Sequence, residues 1–367
     1  MKVYRTTHAF VNVPALRHNI SMLRSLAGPS VKFMAVVKAD AYGHGAVGVA
    51  KAVQKNVDYL SVANIVEAIE LKEAGIRKPV FILSETSPLN APFVVRNGFI
   101  QTVYTPDLAK ALSKEAVRQG KKATVHMKVD TGMGRIGVRV GEAMKLYDLL
   151  SSLPGIRVEG VFTHLAKAEE PHGFTTRQLA RFRSFADRVD GEGLIFHSAN
   201  SAGALYHKES RMDMVRIGLS MYGLYPPGGD RTVIKLQPVL EFKSRVVYMK
   251  SVPAGTPLSY GSTYRTSRES KIATIPVGYA DGLPRALSNK GHVLINGKRY
   301  PIVGRVCMDL SVVNVGDDPV KVGDEVVIIG SQGKETISVD ELAGQSDTIS
   351  YEIICGIGKR VPRIYVS

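Results

Sequence analysis

The chain has 367 residues, 44% hydrophobic and 22% charged, with a formal net charge of +15; that length and balance fit a globular protein with one large and one smaller domain. No apolar run is long enough for a membrane span, the first dozen residues carry no signal-peptide core, and two cysteines, Cys307 and Cys355, cannot build a disulfide framework, so a reducing, cytoplasmic setting is expected. The Lys and Arg residues are scattered and no binding module is visible, which excludes nucleic acid as the expected partner and leaves attraction of small anions.

Pro14 is placed to open a helix over 15–26. The next stretch, 33–45, reads FMAVVKADAYGHG. Its apolar start predicts a buried strand with one lysine, Lys38, at the end, followed by a small flexible turn that contains Tyr42. A lysine there is costly to desolvate unless something uses it. One use is as an amine that forms a Schiff base with a carbonyl cofactor; the alternative is a side chain that snorkels out of the strand end.

Apolar strands are expected at 31–38, 59–64, 79–84, 99–104, 124–130, 158–164, 194–200 and 214–221. Helical patterns lie between them at 48–55, 66–74, 88–96, 106–119, 141–150, 175–189 and 202–206. Strands that are apolar throughout and alternate with helices predict a covered parallel sheet, and this number of them closes a (β/α)8 TIM barrel. No GxGxxG follows the first strand, which disfavours a doubly wound dinucleotide fold. The expected strand ends carry Lys38, Asn64, Ser84, Tyr104, Lys128 with Asp130, His164, His197 with Asn200, and Arg216. Singly, such residues are often structural; converging at one end, they predict an active-site mouth.

The character changes near Gln237. Short strands broken by Gly, Pro and Asp are expected at 239–252, 271–277, 292–295, 300–307, 310–315, 325–329 and 363–366. A short helix at 339–343 has Ser338 and Glu341 spaced as a capping box. The expected division is therefore a barrel over 1–236, whose first ten or so residues can pack on the second part, and a C-terminal β domain over 237–367, with the linker at or just after 225–230.

The motifs AVVKADAYGHGA, DTGMGRIG (130–137), THLA (163–166), HSANSAG (197–203), RIGLSMYG (216–223), SYGSTY (259–264), GYADG (278–282) and GRVCMD (304–309) run in an order that resembles the alanine racemase family across nearly the whole chain. The resemblance implies a pyridoxal 5'-phosphate enzyme that interconverts L-alanine and D-alanine by two-base α-proton transfer, supplying D-alanine for peptidoglycan. It makes Lys38 the cofactor-bearing lysine and the base for the D-enantiomer. Tyr260, reaching in from the partner subunit of a head-to-tail homodimer, becomes the base for the L-enantiomer. His164 and Arg216 are then candidates for lowering the Tyr260 pKa. Arg216 is implied to face the pyridine nitrogen, and Tyr42, Ser201, Gly218, Leu219 and Tyr351 to bind the phosphate. Arg135 and Met308 are implied to meet the substrate carboxylate, and Lys128 to carry a carbamate that holds Arg135. Metal is not expected, and the membrane is not an expected partner. A broader amino-acid racemase acting on serine, and a barrel decarboxylase with the same cofactor, are the alternatives. The chain departs from the family pattern near its start, where the common tryptophan and acidic pair are missing.

Overall fold

The computed structural model describes residues 5–170, 173–189, 191, 193–228 and 230–367. Gly229, inside the expected linker, lies outside them. Contacts divide the chain into two compact units. The first comprises Ala15–Ala41 with Ala46–Gln237; the second comprises the described residues up to Pro14, Tyr42–Gly45 and Pro238–Ser367.

The first unit is the expected barrel. Its strands are β1 (Lys32–Val36), β2 (Tyr59–Val62), β3 (Val80–Ile82), β4 (Ile100–Val103), β5 (Ala123–Asp130), β6 (Ile156–Phe162), β7 (Ile195–His197) and β8 (Met214–Ile217). They pair in parallel in the order β8-β1-β2-β3-β4-β5-β6-β7. The last gap is bridged by single bonds, from the Asp213 N–H to the Phe196 carbonyl at 3.1 Å and the Arg216 N–H to the Ala199 carbonyl at 3.0 Å. Met34, Phe81, Ile100, Phe162, Ile195 and Met214, from six strands, pack into one buried cluster. Each such side chain contributes about 1.5–3 kcal/mol by leaving water.

Two expected strands are shorter than their apolar runs. β1 ends at Val36, so Lys38 stands beyond the strand and not in it. β8 ends at Ile217, because the chain turns at Gly218 into a 3-10 helix, Leu219–Tyr222. The Tyr222 hydroxyl donates to the Val36 carbonyl at 3.0 Å, which fastens that turn to the end of β1.

In the second unit one sheet runs in the order Lys298–Pro301, His292–Ile295, Glu325–Gln332, Leu240–Arg245, His8–Asn12, Arg363–Val366. The strand His8–Asn12 is antiparallel to one neighbour and parallel to the other. A second sheet joins Tyr248–Val252, Ser270–Ile275 and Ser311–Gly316. The expected strand at 239–252 is thus two strands. The capping box is half made: Ser338 Oγ accepts from the Glu341 N–H at 3.0 Å, but the Glu341 carboxylate turns to the Arg299 guanidinium, at 2.6 and 3.0 Å. A helix the sequence pattern did not show, Ser350–Cys355, carries Tyr351.

Gly43 is required within this unit. Its φ is +79°, and a Cβ would lie 1.9 Å from the Ile354 carbonyl oxygen. Gly43→Ala is expected to lower stability by more than about 2 kcal/mol, read as a fall of several degrees in the melting transition.

Candidate active site

The segment after β1 is wound the wrong way. Ala39, Asp40, Ala41 and Tyr42 all have φ between 52° and 54°, a left-handed turn that costs roughly 1–2 kcal/mol per residue for L-amino acids. Polar groups of the barrel hold its start. Glu67 accepts from the Ala39 N–H and the Ala63 N–H, both at 2.7 Å, and Asp40 accepts from the Ala46 N–H at 2.8 Å. Lys38 is thereby set, half-buried, at the mouth of the barrel. Glu67 was not among the sequence candidates; its position three residues after Asn64 reads as an ordinary first-turn acid. Asn64 itself caps the helix Ile65–Glu73 by accepting from the Val66 N–H at 3.0 Å and the Glu67 N–H at 3.1 Å.

The glycine-rich loop 130–137 folds around Asp130, whose carboxylate accepts from the Gly132 N–H at 3.0 Å and the Gly134 N–H at 3.1 Å. Gly137 has φ +122°, and a Cβ there would lie 2.9 Å from the Asp130 nitrogen. Arg135 is presented on this loop, exposed. Lys128, one turn of the pleat earlier in β5, is only 3% exposed. Burial, and then Arg216, Arg135 and Lys38, push its ammonium down to about 7 against the raising influence of Asp130. Four cationic side chains from different elements therefore gather at one end of the barrel.

Arg216 is likewise only 3% exposed. Its guanidinium donates to His197 Nδ1 at 2.9 Å, the Thr163 carbonyl at 2.8 Å, the Ser198 carbonyl at 3.0 Å and His164 Nδ1 at 3.3 Å. Among the described residues it forms no ion pair. Burial lowers it to about 9, so it remains a cation at neutral pH. His164 is held well below its ordinary range by burial, and then by Arg216, Lys128, Arg135 and Lys38. A neutral His164 that accepts at Nδ1 carries its proton on Nε2. Gln178 fixes the turn that bears it, donating to the His164 carbonyl at 3.0 Å and accepting from the Ala166 N–H at 2.8 Å.

Where β8 ends, Ser201 Oγ accepts from the Gly218 N–H at 3.1 Å and the Ser220 N–H at 3.4 Å. Ser201, Gly218 and Leu219 are thus neighbours in a buried cup. The Ser220 hydroxyl, fully buried there, has no hydrogen-bond partner among the described residues. An orphaned buried hydroxyl beside main-chain donors and a cationic mouth fits a phosphorylated, anionic ligand. Ser220 was missed because one serine in an apolar run gives no signal.

In the second unit Tyr42 and Tyr351 pack ring to ring, with centroids 6.0 Å apart. Burial, then Tyr351, raise the Tyr42 phenol far above its ordinary value, so it stays a neutral donor. Tyr260 begins the 3-10 turn Tyr260–Ser262 and is 71% exposed. Ser259 at φ 60° and Ser262 at φ 49° hold it out. Ser259 Oγ lies 2.6 Å from the Arg305 carbonyl and 3.5 Å from Cys307 Sγ. Met308 follows Cys307; its carbonyl accepts from the Ala280 N–H at 3.1 Å, and its side chain is 52% exposed.

The sequence model of the family described as alanine racemase, N-terminal domain, matches residues 11–226, and that of the alanine racemase C-terminal domain matches residues 239–365. The chain is 48% identical over 367 residues to a protein of Symbiobacterium thermophilum named alanine racemase, covering 98% of this chain and 97% of that one. It is 45% identical over 370 residues to the alanine racemase of Halothermothrix orenii, covering 99% and 98%. Among solved structures, the alanine racemase of Clostridium difficile 630 superposes with a TM-score of 0.94 at 38% identity, covering 100% of this chain and 97% of that one. The Bacillus anthracis alanine racemase solved with bound L-Ala-P gives 0.93 at 37%, covering 100% and 96%.

Proposed function

The chain belongs to the alanine racemase family, and we propose that it runs the racemase reaction with Lys38 and Tyr260 as its two proton-transfer groups and pyridoxal 5'-phosphate as its cofactor. The activity is that of an alanine racemase, the interconversion of L-alanine and D-alanine. The observation that carries the residue assignment is the cationic cluster of Lys38, Lys128, Arg135 and Arg216 at the C-terminal end of one barrel. That donor set suits a cofactor bearing a phosphate and a phenolic oxygen, and an amino acid bearing a carboxylate.

When bound, the cofactor supplies an electron-withdrawing ring that stabilises the substrate carbanion. Lys38 would attach it, and its amine then moves the α-proton on one face. Tyr260 serves the other face, since inversion without rotating the substrate needs a proton-transfer group on each side. Arg216 has only donors, so it would hold the ring nitrogen without protonating it, which keeps the carbanion short-lived and suppresses transamination. Ser201, Gly218 and Leu219 would hold the phosphate, with Tyr42 and Tyr351 in the same role by family likeness. Arg135 and the Met308 backbone would meet the substrate carboxylate.

Tyr260 comes from a second copy of the chain in this reading. In its own unit it is exposed together with Tyr279 at 43%, Met308 at 52% and Leu310 at 45%. Several large apolar side chains left in water on connected turns support burial against another subunit. The setting we propose is the cytoplasm; no helix among the described residues is long and apolar enough to cross a membrane. Racemisation assays over a panel of L-amino acids test the reading. Turnover of L-alanine far above L-serine is expected, and equal turnover would instead favour the broader racemase.

Lys128 is proposed to carry a carbamate. Carbon dioxide adds to the neutral amine, and a lysine pushed down to about 7 offers that form near neutrality. The anion then compensates Arg135, Arg216 and Lys38. After equilibration with 13C-bicarbonate, a carbamate resonance is expected that grows between about pH 6 and about pH 8, as the ammonium deprotonates. It should be missing from Lys128→Met. Its absence from the unsubstituted protein would refute the modification.

A further inference from the structure

A buried cation without a carboxylate partner is expensive, yet Arg216 is enclosed by neutral acceptors. One of those acceptors opens a line of hydrogen bonds through the barrel. His197, at the end of β7, takes the Arg216 donor on Nδ1 at 2.9 Å. Its Nε2 lies 2.8 Å from Nδ1 of His126, in β5. Nε2 of His126 lies 3.2 Å from the Glu159 carboxylate, in β6. Both imidazoles are fully buried, whereas the Glu159 side chain is 16% exposed. Glu159 also bonds Tyr59, the first residue of β2, and is ion-paired with Arg157, the second residue of β6, so it sits toward the N-terminal ends of the strands. The line therefore runs from the reactive mouth of the barrel toward its opposite end.

Every direction in this line is forced. A guanidinium can only donate, so His197 Nδ1 must accept and carry no proton. Neutral His197 then has its proton on Nε2, which donates to His126 Nδ1. Neutral His126 must in turn carry its proton on Nε2, which donates to Glu159. Charging either ring would place two donors face to face. Burial keeps both rings below the ordinary histidine range, in agreement with that ordering.

The surrounding packing is built for the line. The His197 ring stacks on Phe162, centroids 4.8 Å apart and planes within 8°, and the Arg216 guanidinium lies 5.2 Å from the same ring. His126 needs the space left by Gly160, where a Cβ would come within 2.8 Å of the imidazole and 2.5 Å of the Ile195 carbonyl. Neither His126 nor Glu159 touches the four-cation cluster, and neither has a part in the proton-transfer scheme above.

We propose that His126 and Glu159 are positioning residues for the reaction: through one unidirectional line of hydrogen bonds they fix the tautomer of His197, and so hold Arg216 with its donors aimed. The imidazole dipoles align along the line and polarise one another, which carries the influence of the Glu159 carboxylate toward a guanidinium it does not touch. The catalytic part of this inference rests on the role proposed for Arg216; the tautomer part does not.

The test uses the holoenzyme labelled with 15N-histidine. In the unsubstituted protein His197 is expected to show a bare Nδ1 and a protonated Nε2. In His126→Phe the ring volume stays but the acceptor goes, leaving the His197 Nε2–H buried and unpaired. Its proton should shift wholly or partly to Nδ1, where it opposes Arg216. The kcat should fall about ten- to a hundredfold, the range typical for outer partners of reactive groups, with KM within about twofold. His126→Gln can both accept and donate, and should restore the His197 pattern and most of the kcat. If His126→Phe does not fold, Glu159→Leu against Glu159→Gln makes the same comparison from the partly exposed end, the glutamine keeping an acceptor. An unchanged His197 spectrum in the Phe or Leu variant would overturn the line. A changed spectrum with unchanged kcat would overturn the positioning role. Lack of racemase activity in the unsubstituted protein would count against the role given to Arg216, while the nitrogen spectra still decide the line.

Discussion

Lys38→Ala is expected to abolish racemisation, with no measurable turnover of either enantiomer. Covalent attachment of the cofactor needs an amine, and only this lysine is delivered to the barrel mouth by the left-handed turn that follows β1. Lys128 is also near, but it is enclosed, under the repulsion of the Arg216 and Arg135 charges. Reduction of the holoprotein with borohydride should therefore fix the cofactor to a peptide containing Lys38 and to no other. Recovery of the label on Lys128 would transfer the role to that residue. The turn makes a second expectation. Four L-residues at positive φ persist only because surrounding contacts over-determine them. Removing the Glu67 carboxylate, which accepts at the start of the turn, should loosen the lysine and weaken the cofactor attachment without changing the chemistry.

The barrel was legible because its strands are unbroken apolar runs with helical patterns between them, and register errors in such runs change little. The ends were less legible. Apolar character continues past Val36 and past Ile217, while the backbone leaves the sheet at both places. Nothing in KADAY announces a left-handed turn: alanine has no preference for positive φ, and the cause lies in partners distant in sequence, Glu67 among them. That 42–45 groups with residues beyond 238 is likewise a matter of long-range contact. Glu341 had the spacing of a capping box, but a guanidinium, Arg299, competed for its carboxylate and won. His126 and Glu159 were invisible for a different reason. Each lies within a strand with nothing in its spacing to name a partner, and only the folded barrel shows that their side chains meet. Tyr260 lies at the other extreme. Composition and periodicity give an exposed tyrosine in a turn, and its proposed role came from the motif SYGSTY.

That tyrosine carries the second large expected effect. In Tyr260→Phe the ring remains and only the hydroxyl is lost, on a turn whose geometry is set by Ser259, Gly261 and Ser262 rather than by the phenol. Folding should be unaffected, the side chain being 71% exposed within its unit. Racemisation should fall in both directions by about a hundred- to ten-thousandfold, the usual contribution of a positioned acid–base group. The two half-reactions should separate. Exchange of the α-proton of D-alanine with solvent should survive, because Lys38 still works on its own face, whereas exchange from L-alanine should be lost. Equal loss from both enantiomers would mean that Tyr260 does not serve one face. Subunit mixing then tests where the group comes from. Lys38→Ala chains have no activity and Tyr260→Phe chains only the residual one, but a mixed dimer that shares its sites across the subunits contains one intact pair and should recover a fraction of the activity. If subunit exchange is demonstrated by mass and activity does not return, Tyr260 and Lys38 act within one chain, and the exposed tyrosine, methionine and leucine side chains of the second unit need another explanation.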